Sequence, residues 1–232
     1  KTVVAAVDPV QIFFGLIPGE EVSRVYRHRL TQMQPSISFY VAYLGLDCQP
    51  SALEIPKGNY FRFYDLSMEE SYRKACAHEI ERTDWSSTCN EGIDDDMYPP
   101  GCGVVSFVEP TMARDWFKMD DAGYAAAKAE IQRTLLAKYE ARFPGLLDHS
   151  RTIEFGTPRT MARFSRNHEG AVYGYAQTKE QAGPKRLRNR TPLQGLFLSG
   201  SWTWSGGGYE GAMMTGVQTA QTVIQELGLS QQ

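Results

Sequence analysis

Three glycines near the carboxyl end of the chain, Gly206, Gly208 and Gly211, have the spacing of a motif that binds dinucleotides. They lie between a short apolar run, residues 196–198, and a helical pattern that begins near Gly211, and they match G-x-G-x-x-G. That fingerprint binds a dinucleotide only within a strand-helix-strand unit of about 30 residues, with an acidic residue about 20 positions further on. The residues after Gly211 suffice for one helix and a tail. The match therefore does not mark the first unit of a dinucleotide fold.

The same turn can still bring the main chain close to a ligand. Consecutive glycines at positions 206–208 leave no Cβ between the backbone and a flat ring. The following helix directs unpaired N–H groups and about half a positive charge at its first turn, which favours an anion. An isoalloxazine ring gains negative charge around N1 and C2 on reduction, so this arrangement would stabilise reduced flavin. A glycine-rich connection without any ligand explains these residues equally well.

Strands and helices that would position the turn follow from the apolar periodicity. Alternating and β-branched patterns predict strands at residues 2–7, 36–46, 60–64, 104–108, 171–175 and 196–198. Helices are predicted at residues 20–32, 68–82, 121–143 and 211–227, the second from a capping box that begins at Ser67.

For two of these helices the pattern also predicts which face packs against the rest of the protein. In helix 121–143 the inner stripe is predicted to be Ile131, Leu135 and Tyr139, and the outward residues are Lys128, Arg133, Lys138 and Arg142. In the last helix, Ala212, Gly216 and Ala220 place small residues along one face, which predicts close packing of that face on a strand or on a cofactor.

Composition and charge exclude several classes of protein. Apolar residues make up 42% and charged residues 22% of the 232 residues, as in ordinary globular proteins. The net charge of −3, with mixed signs, offers no basic surface for nucleic acid. No run approaches the roughly 18 apolar residues of a membrane span. The buried character predicted for residues 2–7, at the very start, leads us to expect further sequence upstream.

The cysteines and acidic clusters predict no metal site. Cys48, Cys76, Cys89 and Cys102 lack knuckle spacing, so we expect free thiols in a reducing cytoplasm. The acidic run at residues 94–96 lacks the alternating spacing and the glycine of a calcium loop, and is predicted to be a solvated loop.

Five collinear segments resemble the family of phytoene desaturases, carotenoid isomerases and retinol saturases. Residues 191–216, TPLQGLFLSGSWTWSGGGYEGAMMTG, resemble the flavin signature of that family. Upstream matches are residues 1–9, KTVVAAVDP; 36–46, SISFYVAYLGL; 96–108, DMYPPGCGVVSFV; and 155–177, FGTPRTMARFSRNHEGAVYGYAQ. The resemblance covers nearly the whole chain.

The resemblance implies FAD as the cofactor and a mixed α/β fold. The chain would be the C-terminal half of a two-domain, glutathione reductase-like FAD-binding fold with a mixed-sheet substrate domain. Residues 1–15 would be a returning strand of the FAD domain, residues 16–185 the substrate region and residues 186–232 the closing FAD segment. The N-terminal GxGxxG unit is absent here, so an N-terminal half, in the same polypeptide or in a separate chain, is the expected partner.

Site residues follow from the same resemblance, position by position. The backbone of Gly200 and Ser201 would lie near the ribityl and pyrophosphate groups, and the residues around the ring would be Gly207, Gly208, Tyr209, Glu210, Gly211 and Ala212. Flavin amine oxidases often have Asp where this chain has Ser201, which favours the carotenoid-type branch. Candidates for moving a proton are Arg163, His168, Tyr173 and Tyr175, although packing or a surface charge is the better explanation for each of them.

The implied reaction is hydride exchange with, or isomerisation of, an extended apolar isoprenoid, retinoid or polyene substrate. The location implied is the cytoplasm, with transient contact to a membrane surface. Two alternatives stay open: a fragment of a flavin amine oxidase, since Gly208 to Ala212 resembles that closing turn too, and a partner subunit of a flavoprotein without catalysis of its own.

Overall fold

The computed structural model describes residues 1–93 and 95–228 of the chain, which form two compact units. The first unit combines Lys1–Ile37 with Met161–Gln232, and the second is the continuous segment Ser38–Thr160. Each unit has its own hydrophobic core. The units divide the chain at other positions than the predicted segments 16–185 and 186–232, whose roles stay predictions. Asp94, the first residue of the acidic run, lies outside the described residues.

Parallel and antiparallel sheets are both present, together with helices, so the fold is mixed α/β. The strands are β1 Val3–Ala5, β2 Ser38–Leu46, β3 Gly58–Arg62, β4 Trp85–Cys89, β5 Gly103–Thr111, β6 Ser150–Gly156 and β7 Leu196–Leu198. The helices are α1 Arg24–Gln32, α2 Met68–Cys76, α3 Asp121–Arg142, α4 Pro158–Ser165 and α5 Gly208–Glu226. Among the described residues, no helix is both long and apolar enough to cross a bilayer.

The second unit is an antiparallel sheet with α3 contributing to the core on one of its faces. Its strand order is β3-β4-β5-β2-β6. Every second residue of β5 is buried from Gly103 to Thr111, which is the two-residue period of a sheet with one covered face. Phe107, on that face, stacks on Tyr139 of α3 with ring centroids 4.2 Å apart. The predicted inner stripe of α3 is thus confirmed at Leu135 and Tyr139, which are 0% and 1% exposed.

Lys138 contradicts the pattern, which predicts that it faces outwards. Its side chain is only 8% exposed, and its Nζ donates to Glu109 Oε1 at 2.9 Å and to the carbonyl oxygens of Ile80 and Thr83 at 2.8 Å each. The prediction is wrong because a long side chain can bury its stem and place its charged end against partners that periodicity does not reveal.

Several predicted elements need correction. Helix α2 ends at Cys76 rather than at residue 82, because His78 takes the left-handed conformation at φ 55°. Strands β4 and β6 were not predicted; in β4 the buried positions are Trp85, Ser87 and Cys89, and a serine hides the apolar alternation. Residues 171–175 contain an isolated bridge from Tyr175 to Pro35 instead of a strand.

The first unit contains the parallel pair β1 and β7, in which Val3 faces Leu196 and Ala5 faces Leu198. Residues 2–7 were predicted to be buried, yet Val3 and Val4 are 58% and 50% exposed in this chain. The core of the unit includes Phe13, Leu30 and Leu198, around which α1 and the segment after α4 are arranged. Strand β7 leads directly into the glycine-rich turn and α5.

Candidate functional site

The candidate site is the turn between β7 and α5, residues 199–207, and its path is held by backbone hydrogen bonds. Ser199 N–H donates to the carbonyl of Ala5 at 2.9 Å, which extends the contact of β7 with β1. Thr203 N–H donates to the carbonyl of Gly200 at 3.2 Å, and Gly206 N–H donates to that of Thr203 at 3.0 Å. Two tight turns in succession therefore bring the chain from the strand to the helix.

Two buried threonines join α5 to the strand. The Gly200 N–H donates to Thr215 Oγ1 at 2.8 Å, and Thr219 Oγ1 donates to the carbonyl of Leu198 at 3.0 Å. The Asn189 amide donates to the carbonyls of Leu198 and Thr215, 3.3 Å each, and to the Thr219 hydroxyl. The small residues do not form the face of α5 that packs on the strand: Ala220 is exposed, and a Cβ on Gly216 would meet nothing within 4 Å. Their packing on a cofactor stays a prediction.

The glycines of the turn have two different physical roles. A Cβ on Gly207 would lie 2.4 Å from Tyr173 Cβ, and one on Gly211 would lie 2.5 Å from the carbonyl oxygen of Gly206. These two glycines permit packing within the protein. Gly200 and Gly208 have positive φ angles of 85° and 83°, and a Cβ on either would meet nothing within 4 Å. Open space in front of bare backbone is what a ligand cradle requires.

The first turn of α5 is accessible to a ligand. Its N-cap, Gly207, supplies no side-chain hydrogen bond, so the positive end of a 19-residue helix lacks a side-chain cap. Tyr209 is 90% exposed and Glu210 is exposed as well, while Ser201 and Ala212 are half-buried. The structure thus brings all eight predicted cofactor-contacting residues to one turn and one helix end. Their contact with FAD stays a prediction.

Arg186 is the functional candidate that sequence analysis missed, since four of the six residues in the connecting segment 185–190 are basic. It is 1% exposed. Its guanidinium donates to three carbonyl oxygens: Thr203 at 2.8 Å from Nε, Tyr175 at 2.8 Å from Nη1 and Ser201 at 2.6 Å from Nη2. No local pattern distinguishes Arg186 from the exposed Arg188 two residues later.

The four candidates for proton transfer separate into two pairs. Tyr173 and Tyr175 lie at the turn: Tyr173 packs on Gly207, and the Tyr175 ring meets Trp202 edge-on, with centroids 4.8 Å apart. Burial, and then the nearby Asp8 charge, raise the pKa of the Tyr175 phenol, whose oxygen is buried. Arg163 and His168 are exposed, and in the described part of the chain no hydrogen bond joins either to the turn.

A carboxylate, a thiol and an imidazole meet in the second unit, at Asp47, Cys48 and His149, with ligand atoms within 4.8 Å of one another. The Asp47 carboxylate lies 2.8 Å from His149 Nδ1 and also pairs with Arg151. These partners lower the pKa of Asp47, with the His149 hydrogen bond as the largest cause. The Asp47 carboxylate is thus already paired with His149 and Arg151, and the absence of a metal stays a prediction. All four cysteines are free thiols.

Comparison with known proteins identifies a matching family and several relatives of this chain. A family model described as flavin containing amine oxidoreductase matches residues 68–224. The chloroplastic prolycopene isomerase of Daucus carota is 27% identical over 67% of this chain and 27% of its own length, and that of Arabidopsis thaliana is 26% identical over 66% and 28%. A Mus musculus protein, pyridine nucleotide-disulfide oxidoreductase domain-containing protein 2, is 23% identical over 98% of this chain and 42% of its own length.

The chain spans less than half the length of each of these relatives. Similarity to the two prolycopene isomerases confirms the resemblance to carotenoid isomerases and desaturases, at low identity. The matched region begins at α2 and ends within α5, so it contains the whole glycine turn. Because the family model covers more than half of its residues, the chain belongs to the flavin-containing amine oxidoreductase family, whose cofactor is FAD.

Proposed function

We propose that this chain closes the ring end of an FAD site in an enzyme that exchanges hydride with, or isomerises, an extended apolar substrate of the isoprenoid, retinoid or polyene kind. The observation that carries the proposal is the open turn from Gly200 to Gly208, with no side-chain cap on the helix that follows. FAD, when bound, supplies a ring that accepts and returns a hydride.

The residues of the turn fit such a group. Gly200 and Gly208 offer bare backbone in front of open space, and the α5 N-terminus offers partial positive charge to an anionic ring or phosphate. In this proposal Gly200 and Ser201 hold the ribityl and pyrophosphate groups, and the residues from Gly207 to Ala212 hold the ring edge. Tyr173 and Tyr175, packed at the same turn, are the candidates for orienting substrate or moving a proton.

An N-terminal half bearing the GxGxxG unit would complete the enzyme, with its glutathione reductase-like two-domain fold. Parallel sheets occur almost only where both faces are covered, and two strands alone are marginally stable. The parallel pair β1 and β7 exposes Val3 and Val4 by 58% and 50%. Strands and helices supplied by that half would cover these β-branched side chains, so the exposure supports a partner of this kind.

The outer face of the five-stranded sheet is the surface that we assign to the substrate. Its register places Phe61 opposite Ser86, Ser86 opposite Val108, Val108 opposite Val41, and Val41 opposite Gly156. Residues directly opposite one another share a face, so these five form one row. Phe61, Ser86 and Val108 are open or partly open to solvent, whereas Val41 is 5% exposed and Gly156 is buried. Strands about 4.8 Å apart make the accessible part of the row about 10 Å long, which suits one segment of an extended substrate.

This row, which we call the outer-face band, contains no ionisable side chain. Phe61 is 61% exposed and stacks on Phe63 at 6.4 Å, and Val108 is half-buried. Apolar burial contributes about 25 cal/mol per Å², so a polyene that covers even 200 Å² of it, roughly, would gain about 5 kcal/mol. We expect the enzyme to select its substrates by their length and shape.

Amine oxidation is the second candidate, because the matching family model carries that description. An amine substrate would require a site that recognises a cation or its neutral base. The similarity to prolycopene isomerases and Ser201 in place of Asp both favour the polyene substrate.

The test uses the full-length polypeptide that contains this chain, or the chain with its N-terminal half. Anaerobic flavin absorbance is followed while polyenes, retinoids, quinones and amines are added, and polyene products are analysed for new or moved double bonds. We expect reaction with polyenes and none with amines. Val108→Ser, in the outer-face band, should raise KM for a polyene about tenfold with kcat nearly unchanged.

Thr88→Ala is the matched control, because Thr88 lies on the neighbouring polar row beside Ser106 and should leave KM unchanged. Turnover confined to amines with release of hydrogen peroxide would overturn the proposal in favour of amine oxidation. A complex that carries FAD but reacts with no member of the panel would support a subunit without catalysis.

A further inference from the structure

Arg186 lies beneath the flavin-closing turn as a buried cation. Its three hydrogen bonds, to the carbonyls of Tyr175, Ser201 and Thr203, use all three guanidinium nitrogens. Two of these carbonyls belong to the turn itself, and the third belongs to the residue whose ring meets Trp202. One side chain therefore fixes the backbone on both sides of the turn.

In the part of the chain that the structure describes, no carboxylate pairs with Arg186. Among the described residues, no Asp or Glu oxygen lies within 4 Å of the guanidinium. The buried carboxylate of the same unit, Asp8, instead accepts from the backbone N–H groups of Val10 and His168. Burial lowers the pKa of Arg186, which shows how far the group is removed from water.

A buried cation without a counter-ion is costly, and carbonyl oxygens solvate it only in part. A neutral donor would hold the same carbonyls at a smaller desolvation cost. The N-terminus of α5 adds partial positive charge to the same region, because Gly207 provides no side-chain cap. Two positive contributions thus converge on one turn, an arrangement that is stabilised when an anion lies opposite it.

We propose that Arg186 is a positioning residue that sets the redox balance of the cofactor: it holds the turn from Ser201 to Thr203 in place, and its charge favours reduced, anionic FAD over oxidised FAD. The inference rests on the proposed placement of FAD at this turn. A reduced flavin carries the negative charge that an oxidised flavin lacks, so a fixed nearby cation binds the two forms unequally.

The experiment compares Arg186→Gln, Arg186→Lys and the control Arg188→Gln in the full-length polypeptide. Arg188 is two residues away and exposed, so its substitution changes the net charge equally without removing a buried cation. The affinity for oxidised FAD comes from fluorescence titration. Its ratio to the affinity for reduced FAD follows from the reduction potential of the bound cofactor. Hydrogen exchange of residues 200–207 reports on the backbone without any cofactor chemistry.

Arg186→Gln should lower the preference for reduced over oxidised FAD by about tenfold or more and should speed exchange in the turn. Arg186→Lys should keep most of the redox preference while exchange is still faster, because the charge stays but the three-way geometry is lost. Arg188→Gln should match the wild type in all three measurements. If Arg186→Gln loses the cofactor altogether, the test is made with Arg186→Lys: a redox preference close to that of the wild type supports the inference.

A glutamine variant that holds FAD with a redox preference no lower than that of Arg188→Gln would overturn the inference. So would a lysine variant whose preference falls as far as that of glutamine, since charge would then be irrelevant. Failure of the proposed function is distinguishable, because then the wild type itself binds no FAD, or Gly208→Ala leaves FAD affinity unchanged.

Discussion

Lys138→Met removes a buried ammonium that ties α3 to the sheet of the second unit. Its partners are the carbonyls of Ile80 and Thr83 and the fully buried Glu109 carboxylate, all within 2.9 Å. Methionine preserves the length of the side chain but supplies no donor. Removing one member of a buried ion pair typically costs about 3–5 kcal/mol, because the remaining charge is left unpaired. We expect a loss of that size in the free energy of unfolding at pH 8.

The loss of unfolding free energy in Lys138→Met should depend on pH, and the ionisation of Glu109 determines whether it is larger at high or at low pH. Burial, opposed by Lys138 and Tyr139, raises the pKa of Glu109 from its ordinary 4.5 to about 7. A group with a raised folded pKa stabilises the folded state most below its unfolded pKa, and this contribution is lost as the pH rises through about 7. Without Lys138 the pKa rises further. At pH 5 Glu109 is protonated in both proteins, so only the unsatisfied carbonyls matter, at about 1–3 kcal/mol.

Urea unfolding of the full-length polypeptide at pH 5 and pH 8, followed by tryptophan fluorescence, measures both losses. Lys128→Met, on the same helix and half-buried, is the control and should change stability by less than about 0.5 kcal/mol. The double variant Glu109→Gln with Lys138→Met should recover most of the loss at pH 8. Equal losses at both pH values, or a double variant no more stable than Lys138→Met, would refute the reasoning.

Two further predictions concern the turn and α2. Gly208→Ala and Gly228→Ala both place a Cβ at positive φ with nothing within 4 Å, at the two ends of α5, so each should lose about 1 kcal/mol of stability. Only Gly208→Ala should weaken FAD binding, by about tenfold in a fluorescence titration; equal affinities would show that the turn is merely a connection. Ser67→Ala removes the hydroxyl that accepts from Glu70 N–H at 3.3 Å, and should cost about 1 kcal/mol in urea unfolding, without altering FAD affinity.

Long periodic patterns and short capping signals determined much of this protein from sequence alone. The 22-residue α3 was predicted within one residue of its end, because an amphipathic pattern sustained over several turns has few alternatives. Strand β7 and the following helix were identified from an apolar run and a glycine turn, and α2 from its cap at Ser67. The flavin family was identified from the resemblance of five collinear segments, of which residues 191–216 contain the glycine turn.

Tertiary structure alone decided which polar side chains are buried and which groups they contact. Lys138 belongs to the outward face by periodicity, yet it finds Glu109, 29 residues away in sequence, on a strand that packs against its helix. Arg186 and Arg188 are equivalent as sequence, but only Arg186 lies beneath the turn. The packing of α5 on β7 likewise uses Thr215 and Thr219 rather than the small residues. A buried polar group is stable only where distant parts of the chain supply its partners, and local sequence does not encode that meeting.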